Sequence, residues 1–286
     1  MPKHKTEFDF TALDTYQTCQ RKYNYRINQG IVGKKPPIAA DFGKCIHLAL
    51  DSWYKNKDVE HAIEIFKATY VESVEDDKRT HKMGEWILRN YHSKYVDQPI
   101  EVLSTEREFT LPLPNGNRYI GRIDKIIRWD GAVWGIDHKT TSSLGDTYMR
   151  FHTPNLQFSG YAWAIRQLGY PLCQGILVDA ILVAKGLLET ASRAKLVPLR
   201  RDFAYRSEAD IDEFLSVVTS LQQDIYSREM SQNWIPNWSA CTDYGECPYR
   251  KICKEPVEFR EKIIASDYVH EPWEPRKETP NDARSN

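Results

Sequence analysis

No run of about 18 apolar residues occurs in this 286-residue chain, so nothing in it reads as a membrane-spanning helix. The opening MPKHKTEFDF has no apolar stretch of the kind a secretory leader needs, and an intracellular protein is expected. An excess of either charge is also missing: 39 Lys and Arg stand against 40 Asp and Glu. That balance excludes the overall basic footprint of a protein that coats nucleic acid. It leaves room for local basic clusters, of which Arg21, Lys22 and Arg26, then Arg193, Lys195, Arg200 and Arg201, then Arg250 and Lys251 are the candidates. Cysteine is sparse, with six in all, and in a reducing compartment disulfides are not expected. No internal repeat is present. What the chain does have is an apolar fraction of 41%, enough to bury a sizeable core.

The stretch GRIDKIIRWDGAVWGIDHKTT, residues 121–141, carries the most information. Asp130-Gly131 lies between two runs rich in β-branched and aromatic residues, which predicts a hairpin closed by a two-residue type I′ turn. The register that follows sets Asp124 directly opposite Asp137, in a non-hydrogen-bonded pair where Cα atoms approach to about 4.5 Å. Like charges facing each other are destabilising. Lys139, two residues on, shares the face of Asp137. Two carboxylates and an ammonium on one face suit a divalent cation, Mg²⁺ or Mn²⁺ by the hardness of the oxygen ligands. In that reading Lys139 stabilises a developing anion or orients an attacking water. The plainer alternative is a solvated strand face carrying a Lys-Asp pair.

Around the hairpin, the spacing of apolar residues predicts helices over 8–28, 40–56, 58–74 and 79–96. Strands are predicted over 101–111, 117–129 and 132–140. A helix over 153–168, strands over 175–184 and 196–204, and a helix over 207–228 complete the pattern. The order implies a mixed central sheet flanked by helices, with the helix after the third strand packed near the Asp-Asp-Lys face. Residues 1–265 read as a single domain, and residues 266–286 as a charged, flexible tail whose last dozen residues are disordered.

Cys45 and Cys173 lie in apolar surroundings and read as small buried hydrophobes. Cys241, Cys247 and Cys253 crowd into one polar segment, CTDYGECPYRKIC, which a core does not explain. A metal or cluster there needs a fourth ligand, and Cys19 is the unassigned candidate.

Four motifs together resemble the PD-(D/E)XK nuclease superfamily, in the RecB-like branch that includes Cas4-type and AddB-type iron–sulfur nucleases. They are TALDTYQTCQRKYNYR, FGKCIHLAL, GRIDKI followed by GIDHKTT, and QFSGYAWA, spanning residues 11–253. The resemblance implies a restriction-endonuclease-like core and a metal-dependent deoxyribonuclease, more an exonuclease acting on ends or single strands. It implies that Asp124 and Asp137 hold the metal, with His47 and the backbone carbonyl of His138 contributing. Lys139 orients the water, and Gln157 and Tyr161 share a helix face toward the site or the DNA. It further implies a [4Fe–4S] cluster on Cys19, Cys241, Cys247 and Cys253. The C-x5-C-x5-C spacing departs from the family's C-x2-C-x5-C, which puts Cys241 in question most. Four thiolates also suit structural zinc. Either group would staple the two ends of the chain, its binding contributing to folding. Related exonucleases form rings, so a homo-oligomer or a partner in a repair or recombination complex is a further expectation.

Two other readings compete: a noncatalytic DNA-end-binding adaptor of a repair or recombination complex, and a zinc-stabilised structural protein whose hairpin carboxylates are incidental. The complete Asp-Asp-Lys set favours the enzyme. Glu106 and Glu108 read as structural or solvent-facing, and Asp179, in a buried strand, has no explanation at this level.

Overall fold

The helix expected over residues 8–28 breaks at Cys19, whose backbone is extended (φ −166°, ψ 115°). After a short strand β1 (Glu7–Phe8), helix α1 (Phe10–Thr18) is opened by Asp9, whose carboxylate accepts from the Ala12 N–H at 3.2 Å. This satisfies one of the amide groups that a helix start leaves bare. Beyond Cys19 come a one-turn helix α2 (Gln20–Tyr23), a π-turn over Asn24–Asn28, and strand β2 (Ile31–Gly33).

The computed structural model describes residues 6–34, 38–150, 152, 155–188, 198–242 and 246–274. They fall into two units. One comprises the described residues up to 34 with 110–121 and 213–274, and the other comprises 38–109 and 122–212. Arg193 and Lys195 of the second basic cluster, the start of the strand expected over 196–204, and the last dozen residues lie outside the described residues.

The second unit begins with three helices, α3 (Ile38–Asn56), α4 (Val59–Thr69) and α5 (His81–Tyr95). Asp58 and Thr80 cap the latter two through side-chain bonds to His61 N and Met83 N. Their apolar faces bury Phe42, Ile46, Trp53, Phe66, Ile87 and Tyr91 against Ile127, Trp134, Ile136, Leu177 and Ile181 of the sheet. Gly84 is where α5 meets Phe66 of α4: a Cβ built there would lie 2.0 Å from Phe66 Cε1. Gly84→Ala is therefore expected to lower stability by about 1–3 kcal/mol through overpacking, read as a fall in the denaturant midpoint with an unchanged slope.

Strands β3 (Glu101–Pro112), β4 (Arg118–Trp129) and β5 (Ala132–Thr141) follow, close to their expected bounds. The β4–β5 turn has φ of +49° at Asp130 and +76° at Gly131, as a type I′ turn requires. The pairs Trp129↔Ala132 to Lys125↔Ile136 hold the expected register. Helices α6 (Asp146–Arg150) and α7 (Leu156–Gln167) lead to β6 (Cys173–Leu182) and β7 (Leu199–Tyr205). In this unit β3 pairs with β4, β4 with β5 antiparallel, β5 with β6 parallel, and β6 with β7 antiparallel. The result is a mixed α/β fold with a central mixed sheet flanked by helices.

In the first unit, β1 runs parallel to the Arg118–Tyr119 end of β4. Helix α8 (Glu208–Ser231) enters this unit at residue 213, and Asp224 on it accepts from the Tyr16 hydroxyl at 2.6 Å. Two further helices, α9 (Arg250–Lys254) and α10 (Val257–Asp267), precede strand β8 (Tyr268–His270), which pairs antiparallel with β2. Residues 266–270, expected as the start of a flexible tail, are thus helix end and strand. Tyr268 packs with Tyr25, Ile31, Tyr249 and Ile252 in a small core that joins both ends of the chain; the burial of this aromatic side chain outweighs the charged composition around it.

Candidate active site and cysteine site

β5 alternates its side chains between two environments. Ile136 faces the α3–α5 core, whereas Gly135, the adjoining residue, faces Ile165 of α7. Asp137 follows the α7 side. There Lys139 Nζ lies 2.9 Å from Asp137 Oδ2. Lys139 also donates to Gln157 Oε1 at 3.0 Å, while Gln157 Nε2 donates to Asp137 Oδ1 at 3.4 Å and to the Tyr161 hydroxyl at 3.1 Å. Asn155 caps α7 through Phe158 N at 3.1 Å, which fixes where the helix starts and so where Gln157 and Tyr161, one turn apart, project.

Asp124 lies one residue past the last ladder pair, Lys125↔Ile136. Instead of facing Asp137 within a continued ladder, its carboxylate takes over the next donor: His138 N–H donates to Asp124 Oδ2 at 3.2 Å. His47 Nδ1 is 3.2 Å from the same oxygen, and His138 Nδ1 is 3.5 Å away. Gly43, one turn before His47 on α3, faces Thr140 of β5, where a Cβ would come within 3.2 Å of Thr140 Oγ1. The absent side chain lets α3 approach the strand closely enough for His47 to reach Asp124. The His138 side chain is fully buried and leads away from Asp137, with Nε2 3.2 Å from the Tyr91 hydroxyl.

The electrostatics divide the two aspartates. Burial pushes the Asp124 carboxyl up, but His47 and His138, through charge and hydrogen bonds, overcome this and hold it well below the usual carboxylate range. Burial and then the charge of Asp124 raise Asp137 despite Lys139. For Lys139, burial works against the ammonium, yet Asp137 outweighs it and the group is held above the ordinary lysine value. His138 is pushed down to about 4, chiefly by burial.

Sequence spacing missed several partners of this site. Asp179 of β6 accepts from both Nε and a terminal nitrogen of Arg201 on β7, and from the Tyr91 hydroxyl. Tyr91 in turn contacts His138, so a buried polar chain backs the site. Lys125 is fully buried beside Tyr54, its Nζ 4.9 Å over the ring, with Asp124, Asp51, Glu106 and Asp179 as the surrounding carboxylates. Glu106 pairs with Arg122 at 2.9 Å and adopts φ +48°. It lies close enough to Asp124 for that charge, after burial, to raise its own pKa. Asp179 reads from the sequence only as part of a buried strand and Lys125 carries no signal, because nothing in the sequence says which helix residues meet them.

Among the described residues, no three His, Cys, Asp or Glu side chains stand tightly enough to chelate one ion as they are. The donor set nevertheless fits a hard divalent cation. Two carboxylates converge, Asp137 buried and Asp124 15% exposed, the charge of one opposes ionisation of the other, and among the described residues Asp137 Oδ2 lies beside the Lys139 ammonium without a well-directed hydrogen bond.

In the first unit, Cys19, Cys241, Cys247 and Cys253 line one cavity with Lys22, Trp238 and Tyr249. All four lie outside any disulfide and are half-buried. Cys19 Sγ accepts from Asn237 N at 3.3 Å, and Cys247 N donates to Cys241 O at 3.0 Å. The extended backbone at Cys19, which breaks the first helix, lets Cys19 line the same cavity as the C-terminal three. Cys45 and Cys173 are buried, as expected.

A mixed central sheet flanked by helices, with a hairpin that carries two aspartates and a lysine, matches the restriction-endonuclease-like fold class. A family model of the PD-(D/E)XK nuclease superfamily matches residues 7–254, and the chain belongs to that superfamily. A candidate exonuclease from Eubacterium rectale shares the fold, with a TM-score of 0.51 and 14% identity over 91% of this chain and 93% of that one. The protein SSO0001 aligns over 88% of each chain at 16% identity, with a TM-score of 0.38. No protein of curated function matches the sequence.

Proposed function

We propose that this nuclease hydrolyses phosphodiester bonds of DNA with the help of Mg²⁺ or Mn²⁺, working from ends or on single strands. The observation that carries the reading is the clamp on Lys139: Asp137 and Gln157 hold its ammonium, and the charge of Asp124 acts on it as well. Asp124, Asp137 and the His138 backbone carbonyl would hold the ion, with His47 supporting Asp124; a divalent ion there supplies Lewis-acid and water-activating chemistry. The chain's own groups do the rest. Lys139 stays protonated and offers its charge to a non-bridging phosphate oxygen as negative charge builds. Gln157 fixes the direction of that ammonium, and Tyr161 fixes the Gln157 amide. His47 and His138 keep Asp124 ionised. The adaptor alternative needs none of this geometry. The exonuclease preference extends to this chain what the Eubacterium rectale protein is called. End-labelled linear and circular DNA, incubated with Mg²⁺, Mn²⁺ or chelator, tests the reading: cleavage of linear DNA that chelator abolishes is expected. Metal-independent cleavage, or none, would reject it.

We also propose membership of the RecB-like, Cas4-type branch, with a [4Fe–4S] cluster on Cys19, Cys241, Cys247 and Cys253. Their convergence on one cavity supports a four-thiolate site, and zinc is the alternative occupant. Anaerobically purified protein is expected to contain about four iron atoms per chain and to absorb in the visible. Cys253→Ser should lose both and melt at lower temperature. Colourless protein containing one zinc would assign the site to zinc instead.

A further inference from the structure

The sheet face that carries Asp137 continues beyond the site. Asp137 pairs with Val178 of β6, and Val178 with Asp202 of β7. Strands lie about 4.8 Å apart, so Asp202 is roughly 10 Å across the sheet from Asp137. Over these two strands, under α6, lies an open cavity of about 210 Å³. Met149 and Val178 give it apolar walls, and Arg150, His152, Arg200 and Asp202 give it polar ones.

His152 is the telling residue. It is only 8% exposed, yet among the described residues neither ring nitrogen has a hydrogen-bond partner. Buried polar groups are nearly always paired, and one that is not needs an explanation. The ring makes aromatic contacts, edge-on to Tyr148 at 5.0 Å and tilted on Phe158 at 5.3 Å. Phe158 also carries Lys139 Nζ 5.8 Å from its centroid, so the cavity adjoins the lysine side of the site. Burial, then the charge of Lys139, push His152 down to about 4. The neutral ring therefore offers one donor and one acceptor.

The charges in the cavity cancel. Arg200 is held by Asp146 at 2.7 Å and Asp202 at 3.1 Å, and Arg150 stands near Asp146. A free phosphate would find no net positive potential there. A flat heterocycle with donors and acceptors on its edge and apolar faces matches both the walls and the ring. The volume is below the roughly 300 Å³ at which sites for drug-sized ligands begin.

Building on the nuclease reading, we propose that this cavity receives the base of the nucleotide adjoining the scissile phosphodiester, read on its edge by His152. A deoxynucleoside monophosphate then binds here without metal.

The test is equilibrium binding of the four deoxynucleoside monophosphates to the full chain in chelator, beside deoxyribose 5-phosphate as a base-free probe. Wild type should bind at least one monophosphate more tightly than the base-free probe. His152→Ala should weaken that binding about tenfold and leave the base-free probe unaffected. Arg150→Ala, at an exposed position, should weaken it less. His152→Gln keeps a donor and an acceptor, so it should recover part of the loss, and it stands in if the alanine variant does not fold. On DNA, His152→Ala should raise KM with little change in kcat. No monophosphate binding, equal binding of the base-free probe, or binding indifferent to both His152 and Arg150 would overturn the proposal. Because chelator removes hydrolysis from the measurement, monophosphate binding without any DNA cleavage would count against the nuclease reading only. Metal-dependent cleavage without His152-dependent binding would sink this proposal alone.

Discussion

Replacing Asp124 or Lys139 with alanine is expected to reduce DNA cleavage by about a thousandfold or more while the protein stays folded. The size follows from the role: loss of several kcal/mol of transition-state charge stabilisation, at about 1.4 kcal/mol per factor of ten. Asp124 is where His47, the His138 amide and the His138 ring converge. Lys139 is where Asp137 and Gln157 converge. Lys139 keeps 31% of its side chain exposed and Asp124 15%, so neither is a fully enclosed core residue. Stability should follow a different pattern from activity. Asp137 has its folded pKa raised, so its ionised form is disfavoured in the native state at neutral pH. Asp137→Asn should therefore abolish cleavage with a stability change within about 1 kcal/mol, since the freed Lys139 ammonium can be solvated. Cleavage that survives Lys139→Ala within tenfold would reject the site assignment; loss of cooperative unfolding in Asp124→Ala would show that the residue is structural.

The second large effect is on stability. Asp179→Ala is expected to cost about 3–5 kcal/mol, because it strands the Arg201 guanidinium in the core without its counter-charge. Asp179 is 2% exposed and Arg201 donates to both of its oxygens. The pH dependence carries a definite sign. Burial would raise Asp179, but Arg201 first, then His138 and Tyr91, hold it below 3.8. A carboxyl depressed in the folded state contributes stability above its unfolded pKa, and that contribution fades as pH falls through the folded value. Wild type should lose stability more steeply than Asp179→Asn as pH is lowered below about 4. Chemical denaturation from pH 7 to pH 3 measures this, and parallel curves for the two proteins would contradict the assignment. Both variants should also lower cleavage, since Tyr91 would lose the partner that keeps it against His138.

How much of this was readable in advance differs between elements. The hairpin was legible because Asp130-Gly131 allows two consecutive positive φ values and the flanking runs alternate on either side. Its register then placed Asp137 and Lys139 on one face by geometry alone. The opposition of Asp124 to Asp137 was only half legible: the ladder keeps register to Lys125↔Ile136 and then gives its next donor to the Asp124 carboxylate. A side chain competing for a backbone amide leaves no trace in residue periodicity. Glu106 read as a strand-surface residue, yet it turns at positive φ to meet Arg122 near Asp124.

The break at Cys19 and the strand at Tyr268–His270 were not legible, because both serve contacts hundreds of residues apart in sequence. Local pattern, which spans one turn of helix or two residues of strand, determined the hairpin, the order of helices and strands, and the two candidate ligand sets. Only the tertiary structure decided that Gln157 spans Lys139 and Asp137, that Asp179 answers Arg201, and that four cysteines share one cavity. Those choices depend on which distant surfaces pack together, and burial in low dielectric then gives each pairing its weight.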